Sequence, residues 1–328
     1  MNGIYKYAKL TYFYNIKGAS KLSQLDKLLK ELKIFDFPNS RRIRIGSNDD
    51  GGYVLLDSGL ESIEIVYSYG VGNNSDFEVM TCEKYNAIAR LYDHTIKSAP
   101  LKKDLLYFKR EGVGPKKSEN LNTIESHINK NSDSGKRLLL QMDVEGAEWD
   151  TLIHTPNSVL GLFDQIVIEV HWLASDFTDA RYLKEGVPKT SIDKKIKVLK
   201  KINALFYLYH VHANTEGGLY YLNWFKVPDI LELTFVNKKS VKDAEHSKVV
   251  FPTEFDRPND KNKKEIELHF WPFYPGLIQH TSNIVRRDGW KTFAKVFGIL
   301  HNRIKINLRS IRTLLGLRQN RTRPGFRR

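Results

Sequence analysis

Cysteine is nearly missing from this chain of 328 residues: Cys82 stands alone. No internal disulfide can form, and a reducing compartment, the cytosol, is the expected location. No window approaches the roughly 18 uninterrupted apolar residues that a membrane span requires. The N-terminal MNGIYKYAKLTYFYNIKG has lysines interrupting its apolar residues, so it reads as neither a cleavable signal nor a span. A GxxxxGK[ST] phosphate loop is also lacking, which disfavours a nucleotide triphosphatase. Internal repeats and long linkers are absent too. What remains, at 41% hydrophobic and 12% aromatic residues, suits a globular chain with one large domain and terminal additions.

Basic charge is abundant, yet it is localised. Residues 286 to 328 hold 13 Lys and Arg against the single acid Asp288, a net of +12 out of the total +14, which leaves +2 for the other 285 residues. A basic surface over the whole protein is therefore not implied, and nucleic acid is not the expected partner. Within that tail Phe293, Val296, Phe297, Leu300, Ile304, Leu308, Ile311 and Leu315 recur at helical spacing with cations between them. This is a basic amphipathic helix, suited to packing on its own domain, to an anionic membrane surface or to a protein partner. The closing RQNRTRPGFRR reads as disordered.

Residues 20 to 35 repeat leucine at helical spacing, and RRIRIGSNDDGGYVLLD (41 to 57) gives two β-prone runs around a Gly- and Asp-rich turn, the pattern of a hairpin. From Ile63 onwards short apolar runs alternate with helix-like stretches. That alternation predicts an α/β fold: a mostly parallel, Rossmann-like sheet with helices on both faces. The expected organisation is an N-terminal helix and hairpin cap over 1 to 60, a sheet domain over 61 to 285, and the basic helical tail over 286 to 328.

In such sheets ligands bind beyond the carboxyl ends of the strands, so polar residues at those ends are the candidates for chemistry. LLLQMDVEGAEWDTL (138 to 152) stops an apolar run at Asp143 and Glu145; the plainer reading makes Asp143 a helix cap and Glu145 and Glu148 first-turn acids favoured by the helix dipole. The first strand ends at Ser68, Gly70 and Gly72, where a backbone can turn sharply and approach a ligand. Asp93 ends the second strand, 23 residues after Gly70, the place for a carboxylate that binds a ribose hydroxyl pair. A polar loop containing Gly112 and Val113 follows the third strand. Because Ser75 occupies the last position of GxGxxG, a nucleoside cofactor without pyrophosphate fits better than a dinucleotide.

These segments, YSYGVGNNSDFE, LYDHT, LNTIESHI, LLLQMDVEGAEWDTL and IVIEVHWL, resemble the FkbM-like group of class I S-adenosylmethionine-dependent methyltransferases, from about Arg41 to Asn237. The resemblance implies a seven-stranded sheet, with S-adenosyl-L-methionine over Gly70 and Gly72, its ribose on Asp93 beside His94, Gly112 and Val113, and its methionine side near Asp143. Many such enzymes carry an acid two residues before the first glycine. This chain has Ser68 there, so the amino group must find Asp76, Glu78 or Asp143 instead.

Methyl transfer to oxygen needs alignment, a dry site and a base for the hydroxyl proton. Asp143, Glu145 and His171 end two strands expected to be close, and a carboxylate with His171 as base or orienting partner is the predicted catalytic set. His210, His212 and Asn214 are predicted to line the acceptor pocket. A divalent metal would draw on His210 and His212 with Glu169 and Glu232, but no ligand spacing is strong enough to predict one. The expected acceptor is a small polyhydroxylated molecule, with a sugar of a surface glycan as the leading class implied by the resemblance. The alternatives are a non-catalytic binding module anchored by its basic tail and a nucleic-acid methyltransferase.

Overall fold

The computed structural model describes residues 11–14, 16, 18–174, 177, 190–223 and 225–274. The tail over 286–328 and Trp224 lie outside the described residues, which belong to one compact unit. We label the principal strands β1 (Arg42–Gly46), β2 (Gly52–Leu56), β3 (Ile65–Tyr69), β4 (Ile88–Tyr92), β5 (Leu106–Lys109), β6 (Leu138–Met142), β7 (Phe163–Val170), β8 (Phe206–Ala213) and β9 (Leu231–Asn237). The principal helices are α1 (Ala19–Lys30), α2 (Asp76–Tyr85), α3 (Ile124–Asn131), α4 (Glu148–His154) and α5 (Ile192–Leu205).

Seven strands form the central sheet in the order β8-β9-β7-β6-β3-β4-β5. All run parallel except β9, which pairs antiparallel with both β7 and β8. The chain starts at β3, moves outward to β4 and β5, and then returns to β6 on the other side of β3. Here the direction of winding reverses, and a crevice opens between the ends of β3 and β6.

Both faces of the sheet are covered, so its strands read as apolar runs rather than as alternating patterns. Ile65, Tyr67 and Tyr69 of β3 and Leu138, Leu140 and Met142 of β6 share a core with α1, α3, α4 and α5. The intervening Val66 and Leu139 join the other core, made with the β1–β2 hairpin and α2. Ser68 and Gln141 also point to that second face, so two polar groups are carried into it. The helix expected over 20 to 35 ends at Lys30, and Phe35–Asp36 pairs instead with Glu245–His246.

The hairpin is fastened to the sheet by bonds to distant residues. Gln165 donates through Nε2 to the Leu56 carbonyl at 2.8 Å and accepts the Leu56 N–H at 3.0 Å. Thr234 donates to the Val54 carbonyl at 2.6 Å. A small sheet of Thr11–Tyr14, Leu219–Leu222 and Phe225–Pro228 has no counterpart in the sequence reading. Among the described residues no helix is long and apolar enough to cross a membrane.

A pair behind β3 and β4, a buried His127 and a half-buried Glu111, is expected to make the fold sensitive to acid. His127 of α3 places Nε2 3.1 Å from Glu111 and Nδ1 3.1 Å from the Tyr69 hydroxyl, and its ring stacks on Tyr92 with centroids 3.9 Å apart. Burial pushes the imidazole down to about 4, against the opposing pull of Glu111. Burial works to raise Glu111, but Lys109 and His127 outweigh it and bring it down to about 2. Both folded-state values lie below the ordinary 6.5 and 4.5, so the unfolded chain binds more protons and stability falls as pH drops through this range. We expect urea unfolding to show a loss of up to about 3 kcal/mol between pH 6.5 and 4 from His127. A His127→Gln variant should flatten that slope; an unchanged slope would remove His127 as its cause.

Candidate active site

Four strand ends meet at the crevice between β3 and β6. The turn after β3, Asp93 and His94 after β4, Gly112 and Val113 beyond β5, and Asp143 and Glu145 after β6 all line one cavity of about 590 Å³. The hairpin closes a further wall with Asp50 and Tyr53, and Phe77 packs its ring edge-on against Tyr53 at 5.3 Å. Such a volume lies within the roughly 300–1,000 Å³ of small-molecule sites.

Gly70 makes the crevice possible. Its φ is +83°, and a Cβ there would stand 1.5 Å from the Asp143 carbonyl oxygen. Only glycine lets the end of β3 pass so close to the end of β6. Around Gly72 a Cβ would meet nothing within 4 Å, so that part of the turn faces open space. Asp93 fixes the turn from the side: Oδ2 accepts the Gly72 N–H at 2.9 Å, and Oδ1 accepts the Thr95 N–H at 2.7 Å and its hydroxyl at 2.6 Å. Burial acts to raise the Asp93 carboxyl, but the bonds from Thr95 and Gly72 prevail and hold it below the ordinary aspartate value. A carboxylate offers about four acceptor positions. Three are taken by its own chain, so the site retains room for one ligand hydroxyl rather than for a pair.

Two residues expected at the cofactor lie elsewhere. Ser68 is fully buried behind the cavity, with its Oγ 2.5 Å from Glu78 Oε1 and 2.8 Å from Gln141 Oε1. Asp76, which accepts from the Ser47 hydroxyl at 2.9 Å, faces a separate depression lined by Arg44 and Arg257. The carboxyl that does reach the cavity is that of Glu78, two residues on along α2. Burial pushes it up to about 7, with the Ser68 bond opposing. The strand end thus carries a serine that bonds an acid arriving from the following helix.

At the opposite end, the turn after β6 bends through Glu145 at φ +51° and Gly146 at φ +100°. Asp143 does not cap α4, whose N-cap is Ala147 without a side-chain bond. Glu148 is more than a first-turn acid: it is fully buried, accepting the His171 N–H at 2.7 Å and the Gly146 N–H at 2.9 Å. Trp149 adds a bond from its indole N–H to the His171 carbonyl at 2.9 Å. The ends of β6 and β7 are thereby held together through α4.

His171 does stand beside Asp143 and Glu145, with Nε2 3.7 Å from Asp143 Oδ1, 3.6 Å from Glu145 Oε2 and 3.2 Å from Glu169 Oε1, and Nδ1 3.5 Å from Glu148 Oε1. It does not line the cavity. Burial alone would lower its basicity, but Glu148 and Glu169 overcome that and take it up to about 11. An imidazole bracketed by carboxylates in this way fits the orienting partner of the two expected roles better than the base. Asp143 shifts the other way from an ordinary aspartate: burial, then Glu169, raises it, with His171 opposing.

The expected acceptor residues are also placed differently. His210 Nε2 lies 2.8 Å from Asp256, and both ring nitrogens of His212 are taken, by Glu232 at 3.0 Å and Glu265 at 2.9 Å. Asn214 donates to both oxygens of Glu169 at 3.0 and 3.1 Å. None of the three lines the cavity; both ring nitrogens of His212 are occupied, whereas His210 keeps a buried Nδ1 without a hydrogen bond. Their carboxylate partners come from segments 20 to 53 residues away, which no local spacing reveals.

No protein-family model and no curated protein matches this chain. Among solved structures, the 16S rRNA methyltransferase KamB aligns over 60% of this chain and 100% of its own, at 11% identity and a TM-score of 0.26. So loose a superposition carries no inference.

Proposed function

We propose that this chain is an S-adenosylmethionine-dependent O-methyltransferase acting on a hydroxyl of a small polyhydroxylated acceptor, with a sugar of a surface glycan as the leading class. The reading is carried by the convergence of four strand-end turns on one cavity at the switch point, with an ionised Asp93 at one end and the Asp143–Glu145 acids at the other. The resemblance of the same segments to the FkbM-like group supports it. On this reading the nucleoside lies over Gly70 and Gly72, with one ribose hydroxyl on Asp93, and the amino group meets Glu78. The acceptor oxygen attacks the methyl carbon as the carbon–sulfur bond breaks, leaving its electron pair on sulfur as a neutral thioether. The hydroxyl proton passes to a carboxylate of the Asp143–Glu145 pair, where a raised Asp143 is a stronger base than an ordinary aspartate. The tail over 286–328 is proposed to bring the protein to an anionic membrane surface or a protein partner.

Isothermal titration with S-adenosylmethionine tests this directly. Binding is expected, weakened at least about tenfold by Asp93→Ala, since one charge-assisted bond and the brace of the glycine turn are lost together. Failure of the wild-type chain to bind at near-millimolar cofactor would sink the enzyme reading. Binding without transfer to any sugar acceptor would instead favour a module that does not turn over.

A further inference from the structure

We infer that Asp143, Glu145 and His171 bind one divalent first-row transition-metal ion at the acceptor end of the cavity. One ligand atom from each lies within 4.8 Å of the other two. The Nε2 distances of 3.7 Å to Asp143 and 3.6 Å to Glu145 are too long for charge-assisted hydrogen bonds, which settle near 2.7–2.9 Å. They are close to the spacing of two ligand atoms on one ion, about 3 to 3.6 Å for metal–ligand bonds of about 2.0–2.2 Å.

Two further observations point to an ion. Asp143 Oδ1 is buried without a hydrogen-bond partner, although buried polar atoms are nearly always satisfied. The His171 ring, 2% exposed, turns Nε2 toward the two acids and Nδ1, likewise without a hydrogen bond, toward Glu148 at 3.5 Å. Glu148 stands on the side of the ring where a metal-binding histidine usually has a carboxylate, although at 3.5 Å it makes no hydrogen bond to Nδ1. Glu169 beside Nε2 adds a further negative charge.

Two carboxylates and one imidazole suit manganese, iron or zinc better than calcium, which takes oxygen ligands only. Asp143 and Glu145 also line the cavity, so the remaining coordination positions face it. A hydroxyl oxygen of the acceptor would bind there, polarised and aligned for attack. That use of the ion rests on the methyltransferase reading, whereas the site does not.

The full chain, stripped with a chelator and dialysed, should be titrated with Mn²⁺ by loss of the free-ion electron paramagnetic resonance signal and with Zn²⁺ by calorimetry. One ion per chain is expected, with affinity reduced at least about tenfold in Asp143→Asn and in Glu145→Gln. Glu145 has a side chain 80% exposed, so its variant keeps the fold, checked by circular dichroism. A Glu216→Gln control, altering an acid outside the trio, should bind as the wild type does. No binding of either ion at about 1 mM, or equal binding in both site variants, overturns the inference. Separate titrations of the stripped chain distinguish the two readings: if the cofactor binds and neither ion does, the metal site alone fails, and if an ion binds while the cofactor does not, with or without that ion, the methyltransferase alone fails.

Discussion

A Gly70→Ala chain is expected to lose roughly 3–5 kcal/mol of folding stability and, on the proposed methyltransferase reading, all measurable binding of S-adenosylmethionine. Two costs combine. An L side chain at φ +83° is strained by about 1–2 kcal/mol, and a methyl group 1.5 Å from the Asp143 carbonyl forces the ends of β3 and β6 apart. The neighbour is backbone in the middle of a seven-stranded sheet, so it cannot swing aside as a side chain would. Gly59 separates the two costs, because its φ is +88° but a Cβ there would meet nothing within 4 Å. Gly59→Ala should show the backbone strain alone. Urea unfolding of both variants decides the matter, and equal losses would mean that the close approach of the two strands contributes nothing.

Glu148→Ala is expected to cost about 2–5 kcal/mol, because it strands two buried N–H donors, those of Gly146 and His171, and uncovers a cavity beside them. Turnover should fall further than stability predicts. Without Glu148 the loop carrying Asp143 and Glu145 is no longer tied to the end of β7, and a misplacement of about 1 Å can cost about 100-fold in rate. Glu148→Gln keeps one acceptor oxygen and should fall between the two. Thermal unfolding alongside methyl transfer checks both, and an alanine variant within about 0.5 kcal/mol of wild type would show Glu148 to be dispensable.

The sheet was legible because its strands are short apolar runs separated by helices of regular spacing, and α2 begins and ends where its residues predict. The polar strand ends were legible for the same reason: Gly70, Asp93 and Asp143 each follow an apolar run by one residue or none. Less legible was anything that depended on contacts far apart in sequence. Glu148 reads as a first-turn acid because its burial arises only when His171, 23 residues later, comes down beside it. The Ser68–Glu78 bond depends on the first turn of α2 placing a side chain against β3. His210 and His212 look free in a strand of alternating residues, until acids from three other segments close on them. Tyr53 and Asp50 were read as part of a cap, whereas the hairpin forms one wall of the cavity.

That wall has a bearing on timing. The hairpin leaves the ribosome long before its anchors do: the side chain that holds Leu56 is Gln165, and the one that holds Val54 is Thr234. Until β9 has been synthesised the first-made wall rests on α2, β3, β6 and Gln165 without the clasp that Thr234 places on Val54, and closing contacts over such separations is slow. A nascent chain ending before Leu231 would therefore hold the glycine turn and Asp93 beside a wall fastened at Leu56 but not at Val54. Cofactor capture would then mark the moment at which the chain has been made through its last central strand.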